Sequence, residues 1–176
     1  MANEEQLKFL KQGVEVWNAW REQNTQIQPD LSRAQLPEVN LVGANLESVD
    51  LREVNLSQAN LARAVISRAN LQSADLRQAN LTGADLSAAR LITVDLRKAN
   101  LERANLEGAN LQGADLRQAN LSRANLSQTA LQGADFTQVK CKGAILHNCD
   151  LSQVKQQDTN WQEADLENTT LPKAEA

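Results

Sequence analysis

From residue 31 to residue 171 the chain places a centre residue, nearly always apolar, at every fifth position, with no insertion or deletion. Leucine fills 24 of these 29 centres; Ile66, Phe136, Cys141, Gln156 and Trp161 fill the rest. Two residues before the centre stands alanine in 18 units and valine in six, with Pro29, Thr129, Cys149, Thr159 and Thr169 completing the set. An α-helix turns about 100° per residue, so five residues would set successive leucines about 140° apart around the cylinder. That excludes a helix. A long strand is excluded too, because an odd period sends alternate leucines to opposite faces. What fits is a three-residue extended side, such as Ala-Asn-Leu, with its first and third side chains inward and its second outward, closed by a two-residue corner.

Six of the seven glycines, Gly43, Gly83, Gly108, Gly113, Gly133 and Gly143, stand two residues after a centre, where a type II turn needs positive φ. Corners of about a right angle close four units into a square coil of twenty residues, and coils stack about 4.8 Å apart through parallel backbone hydrogen bonds. Twenty-nine units give seven coils and a spare side, a rod of roughly 35 Å. Proline cannot donate to such a ladder. Pro29, Pro37 and Pro172 all fall in the first coil or beyond the last full one.

The run of units such as "ANLEGANLQGADLRQ" resembles the pentapeptide-repeat proteins, whose motif is A(D/N)LXX; the likeness covers residues 29–173 and extends to cyanobacterial stand-alone members. It implies an all-β solenoid, a right-handed quadrilateral parallel β-helix. The pattern departs near the C-terminal end: large Phe136 precedes small Cys141, and Gln156 points inward. Distortion of the square is expected there, or Trp161 filling the space beside Gln156.

Residues 1–28 read as an N-terminal α-helical cap with a linker, and 174–176 as a tail. Leu7, Leu10, Val14 and Trp17 share one helical face with Trp20 beside them, and Asn3 with Gln6 predicts a capping box. One helix is expected from about residue 4 to between Arg21 and Asn24. The last coil, with Trp161, Leu166 and Leu171, lacks a matching lid, which leaves a homodimer through that end open.

Stacking every twenty residues aligns Asn40, Asn60, Asn80, Asn100 and Asn120 on one face, an amide column. The neighbouring face aligns Asp75, Asp95 and Asp115 beside Arg77, Arg97 and Arg117. These two columns can neutralise each other or present a flat charged grid to a protein partner. Arg63, Arg103 and Arg123 form a further column, with Arg68 on the next face. With net charge −4, 3% aromatic residues and no interleaved aromatics, no nucleic-acid site is expected.

A rod filled by Leu and Ala offers no concave pocket in which catalytic groups could converge, and no glycine-rich phosphate loop interrupts it. Cys141 and Cys149 point inward and His147 outward, so no metal site, cofactor or enzymatic activity is expected. No membrane span or signal peptide is read, and the default address is cytoplasmic. The reading is a non-catalytic protein-interaction module with an unidentified protein partner. The alternative is a DNA-mimic inhibitor of a type II topoisomerase, as in quinolone-resistance members of the family. Residues 29–173 carry 17 acidic and 15 basic residues, too balanced for a duplex mimic.

Overall fold

The computed structural model describes residues 1–171; the expected boundary at 173, the tail and Pro172 lie outside them. From Asp30↔Asp50 to Asp150↔Thr170 the backbone pairs in a twenty-residue register, always parallel, with a single gap among the described residues, between Ala130 and Asp150. Each side pairs through a single residue, the outward one, because only three residues separate consecutive corners. Four sides make a coil, named here by their first centres: the Leu31, Leu36, Leu41 and Leu46 sides.

A buried peptide group must find a partner, and one unit shows how each does. Asn60 N–H donates to Val39 O of the preceding coil (2.9 Å), Leu61 N–H to Asn80 O of the next (2.7 Å), and Arg63 N–H to Thr82 O (3.0 Å). Ala64 N–H closes the corner on Leu61 O (3.0 Å). The fifth donor, Ala62 N–H, has no ladder partner and bonds Asn60 Oδ1. This last bond explains the Asn or Asp of the motif: a short side-chain oxygen two residues back takes the one N–H that the ladder leaves over. Gln35 cannot do so in the same way, and the residue two beyond it is Pro37, which has no N–H to satisfy.

Positive φ is not confined to glycine. Every corner residue from Arg33 to Asn168 except Gln153 has φ between +53° and +73°, including 21 that are not glycine. An L-residue there costs about 1–2 kcal/mol. The ladder and the buried columns offset that cost, and the centres from Leu31 to Leu151 are at most 4% exposed. Full burial of each leucine contributes about 1.5–3 kcal/mol.

The N-terminal segment forms two helices, α1 (Glu4–Lys11) and α2 (Val14–Gln23), in place of the single helix expected. The break is Gly13, whose φ of +117° no helix accommodates. Leu10 and Trp17 are buried, while Leu7, Val14 and Trp20 are partly buried against the same core. Phe9 joins them, stacking on Trp20 at 5.6 Å, with Trp20 on Trp17 at 5.3 Å. Half of the capping box forms: Asn3 Oδ1 accepts from Glu5 N–H and Gln6 N–H. Gln6 does not reach back to Asn3; its Oε1 accepts from Asp30 N–H, and Asn3 N–H donates to Asp30 O. On the adjoining Leu46 side, Asn18 Oδ1 accepts from Asn45 N–H, Trp17 Nε1 donates to Asn45 O and Arg21 Nη2 to Glu47 O. The helices thus occupy ladder positions that a preceding coil would have filled on the Leu31 and Leu46 sides.

At the other end the square holds beside Gln156, where Phe136 N–H still donates to Lys155 O and Cys141 N–H to Asn160 O. Trp161 stacks on Phe136 at 6.0 Å, over the space left by the small Cys141. Trp161 and Leu166 are partly buried and Leu171 is 55% exposed. The distortion lies on a different side. Among the described residues the ladder fails between Ala130 and Asp150, which do not pair, and the corner at Gln153 departs from its fellows. Thr129 Oγ1 and Cys149 Sγ both converge on the Leu126 carbonyl, the sulfur at 3.0 Å. Bulk alone is not the cause, since Val139 and Thr159 stack on the opposite side of the same coils with the ladder intact.

Two consequences are measurable. Amide exchange at Leu131, Gly133 and Asp150 should be much faster than at Leu111, Gly113 and Ala130, one coil earlier. Leu101→Ala, in mid-rod, should lower stability by about 2–5 kcal/mol in denaturant titration, and Leu166→Ala by clearly less, because its site is already partly open.

Candidate functional site

The Leu36 side carries the most ordered charge in the molecule. Arg77 Nε and Nη2 donate to the two oxygens of Asp75 at 2.8 and 2.6 Å. Arg97 holds Asp95 in the same way at 2.9 and 2.6 Å, and Arg117 holds Asp115 at 2.8 and 2.6 Å. Each carboxylate also accepts the backbone N–H of its arginine, the same two-residue bond that Asn makes elsewhere. The pairs are linked between coils, because Arg77 Nε lies 3.7 Å from Asp95 Oδ2 and Arg97 Nε 3.5 Å from Asp115 Oδ2. The six residues expected to share a face therefore form one zigzag of alternating charge. Asp50 and Arg52 repeat the pair on the Leu31 side.

The arginines remain 40–48% exposed, so the ion pairs add little stability individually. Their effect is geometric: a guanidinium held by two parallel bonds has lost most of its rotamer freedom before any partner arrives. The electrostatics agree. The hydrogen bonds from Arg77 and Arg117 hold the Asp75 and Asp115 carboxyls below their ordinary range, against the opposing effect of partial burial.

On the Leu41 side the asparagines stack in one column but bond amide to amide at two of its four junctions, Asn80 Nδ2 donating to Asn60 Oδ1 and Asn120 Nδ2 to Asn100 Oδ1, both at 3.1 Å. Asn100 turns instead to Thr82 Oγ1 at 3.0 Å. Cys141 and Cys149 are buried, and burial pushes the Cys141 thiol up to about 12. His147 faces outward, its Nε2 2.8 Å from Asp165 Oδ2. The three do not converge, and among the described residues no group of three or more His, Cys, Asp or Glu is arranged to hold a metal ion. Among the described residues no helix is long and apolar enough to cross a membrane.

Two features escaped sequence reasoning. Asn18 and Arg21 bond the first coil through side chains whose targets lie 25 or more residues away, and nothing local in "WNAWR" signals those targets. The link from each arginine to the carboxylate of the next coil is visible only once the coils are stacked.

Acid should weaken the fold through these carboxylates. A carboxyl whose folded pKa is depressed contributes stability that is present above its unfolded value, about 3.9, and is lost as pH falls through the folded value. Wild-type protein should lose stability below about pH 4, and an Arg77→Gln, Arg97→Gln, Arg117→Gln variant should lose less over that interval in denaturant titrations at fixed ionic strength.

Comparison with known proteins fits this geometry. No curated protein matches the chain. Similar solved structures include HetL, a pentapeptide repeat protein involved in heterocyst differentiation regulation in the cyanobacterium Nostoc sp. strain PCC 7120. It is 25% identical over 83% of this chain and 90% of its own, with a TM-score of 0.28. A pentapeptide repeat protein from the cyanobacterium Cyanothece 51142 is 28% identical over 88% and 97%, at 0.37. QnrB1, a plasmid-mediated fluoroquinolone resistance protein, is 15% identical over 82% and 88%, at 0.40. The family model for pentapeptide repeats matches residues 30–68, 59–97, 99–138 and 114–153, in eight copies. With that match over most of its length and a twenty-residue parallel register, the chain belongs to the pentapeptide-repeat family.

Proposed function

We propose that the protein is a non-catalytic interaction module. In this reading it is a right-handed four-sided β-helix, capped at its N-terminal end by α1 and α2, that presents a flat side to a protein partner. The observation that carries this is the zigzag of Asp75, Arg77, Asp95, Arg97, Asp115 and Arg117, six charged groups held at fixed spacing on a surface that need not reorganise. Ordering long side chains at an interface costs about 0.5–1.5 kcal/mol each, and here that cost has been met within the fold. The filled interior leaves the outer sides as the working surface. Exposed arginines along that surface weigh against a duplex-DNA mimic, which would have to dock on a basic protein saddle.

The test is quantitative capture of proteins from lysate by immobilised wild type and by the Arg77→Gln, Arg97→Gln, Arg117→Gln variant. A partner held by the wild type and reduced at least about tenfold by the variant, with the denaturation midpoint changed little, supports this face. Equal retention by both proteins overturns it.

A further inference from the structure

The arginines of the Leu36 side are saturated by their own aspartates, whereas those at the edge between the Leu41 and Leu46 sides are not. Arg63, Arg103, Arg123 and Lys142 are all exposed there, with exposed Lys140 on the adjoining Leu41 side. Among the described residues only two of them lie near a carboxylate, Arg103 at 3.9 Å from Glu102 and Lys142 at 3.4 Å from Glu163. The corner column reads Gly43, Arg63, Gly83, Arg103, Arg123 and Gly143. A Cβ added at Gly83 would lie 3.7 Å from Arg63 Cγ, and one at Gly143 would lie 3.7 Å from Arg123 Cγ. The Arg63 and Arg123 stems therefore extend along the rod, over the bare corner of the next coil.

Beside this column runs the outward column of the Leu46 side. It is Asp or Asn at 85, 105, 125 and 165, yet Val65 and Ile145 stand in the same column, each 38% exposed. Val65 lies two residues beyond Arg63, and Ile145 two residues beyond the glycine that Arg123 covers. An apolar group and a cation thus mark both ends of one strip, four coils apart, or about 19 Å at 4.8 Å per coil. Asp85 is the acidic member between them, and its Oδ1 accepts from Ser87 N–H and Asn105 Nδ2.

We propose that this strip docks an extended acidic segment of another protein, running along the rod axis. Carboxylates would meet Arg63, Arg103, Arg123 and the lysines, and an apolar side chain at each end would rest on Val65 or Ile145. The span of 19 Å matches about six residues of extended chain. Charge complementarity selects the occupant: four cations lie along one edge, with Lys140 on the side beside it, in a chain whose net charge is −4. The two apolar ends favour a peptide over a nucleic acid, as does the absence of exposed aromatic side chains along the strip. The proposal rests on reading the rod as an interaction module, but it uses a different surface from the aspartate–arginine zigzag.

The experiment uses isotope-labelled full-length protein and three probes: the peptide Leu-Glu-Thr-Glu-Thr-Glu-Thr-Leu, the same peptide with Lys for Glu, and a short oligothymidylate. The acidic peptide is expected to shift amide resonances between Arg63 and Ile145 along the strip, and the lysine peptide to leave them unmoved. Affinity should fall at least about tenfold in Arg103→Glu with Arg123→Glu. It should fall about fivefold in Val65→Asn with Ile145→Asn, which installs the residue this column carries at 105 and 125. Absence of strip shifts with the acidic peptide overturns the proposal, as does tighter binding of the oligothymidylate at the same amides. Loss of peptide binding in the Arg77→Gln, Arg97→Gln, Arg117→Gln variant, with the strip variants unaffected, also overturns it. That last result would move the peptide to the zigzag face and leave the broader reading standing.

Discussion

Everything in this molecule depends on how five backbone N–H groups are satisfied in each five-residue unit. Two donate to the next coil, one to the preceding coil and one closes the corner, which leaves a single donor for a side chain to take. A short carboxylate or carboxamide two residues earlier is the smallest group that can reach it. The rule therefore favours Asn or Asp on the outside of most sides, Val65 and Ile145 being among the exceptions, and Leu and Ala on the inside. The surface chemistry is a by-product of this accounting: asparagine columns on one side, and on the next, aspartates that became partners for arginines.

The same constraint sets the corners. A ladder that must turn every five residues needs a left-handed residue at each turn, and 21 residues other than glycine adopt that conformation. Such cooperation between coils is typical of a solenoid, in which each repeat is held by its neighbours. It also localises failure. Where Thr129 and Cys149 compete for the Leu126 carbonyl, three ladder bonds are lost and Gln153 leaves the positive-φ conformation of the other corners, while the pairing on the other sides of the same coils continues.

The ends and the faces answer to different physics. An unpaired β edge invites association. Here the N-terminal helices occupy it on two sides through Gln6, Trp17, Asn18 and Arg21. The long faces have no backbone groups to offer, so their specificity lies in side-chain charge, and the two arginine populations differ. Those two residues beyond an aspartate are locked and neutralised; those at the Leu41–Leu46 edge keep most of their donors free.

What the sequence by itself determined is the coil: a period of five, without a slip over 29 units, admits one register, and the parallel pairing at twenty residues followed from it. The columns were legible for the same reason, since residues twenty apart must stack. Only the tertiary structure decided where that regularity bends. Gly13 breaks the expected helix because α2 bonds the first coil through Trp17, Asn18 and Arg21, contacts that span 25 or more residues and leave no local signal. The inward Gln156, a conspicuous departure in the sequence, is harmless because Trp161 stacks on Phe136 beside it, whereas Thr129 and Cys149 interrupt the ladder. Periodicity counts positions; which carbonyl two side chains both reach depends on distances that exist only after the coils have stacked.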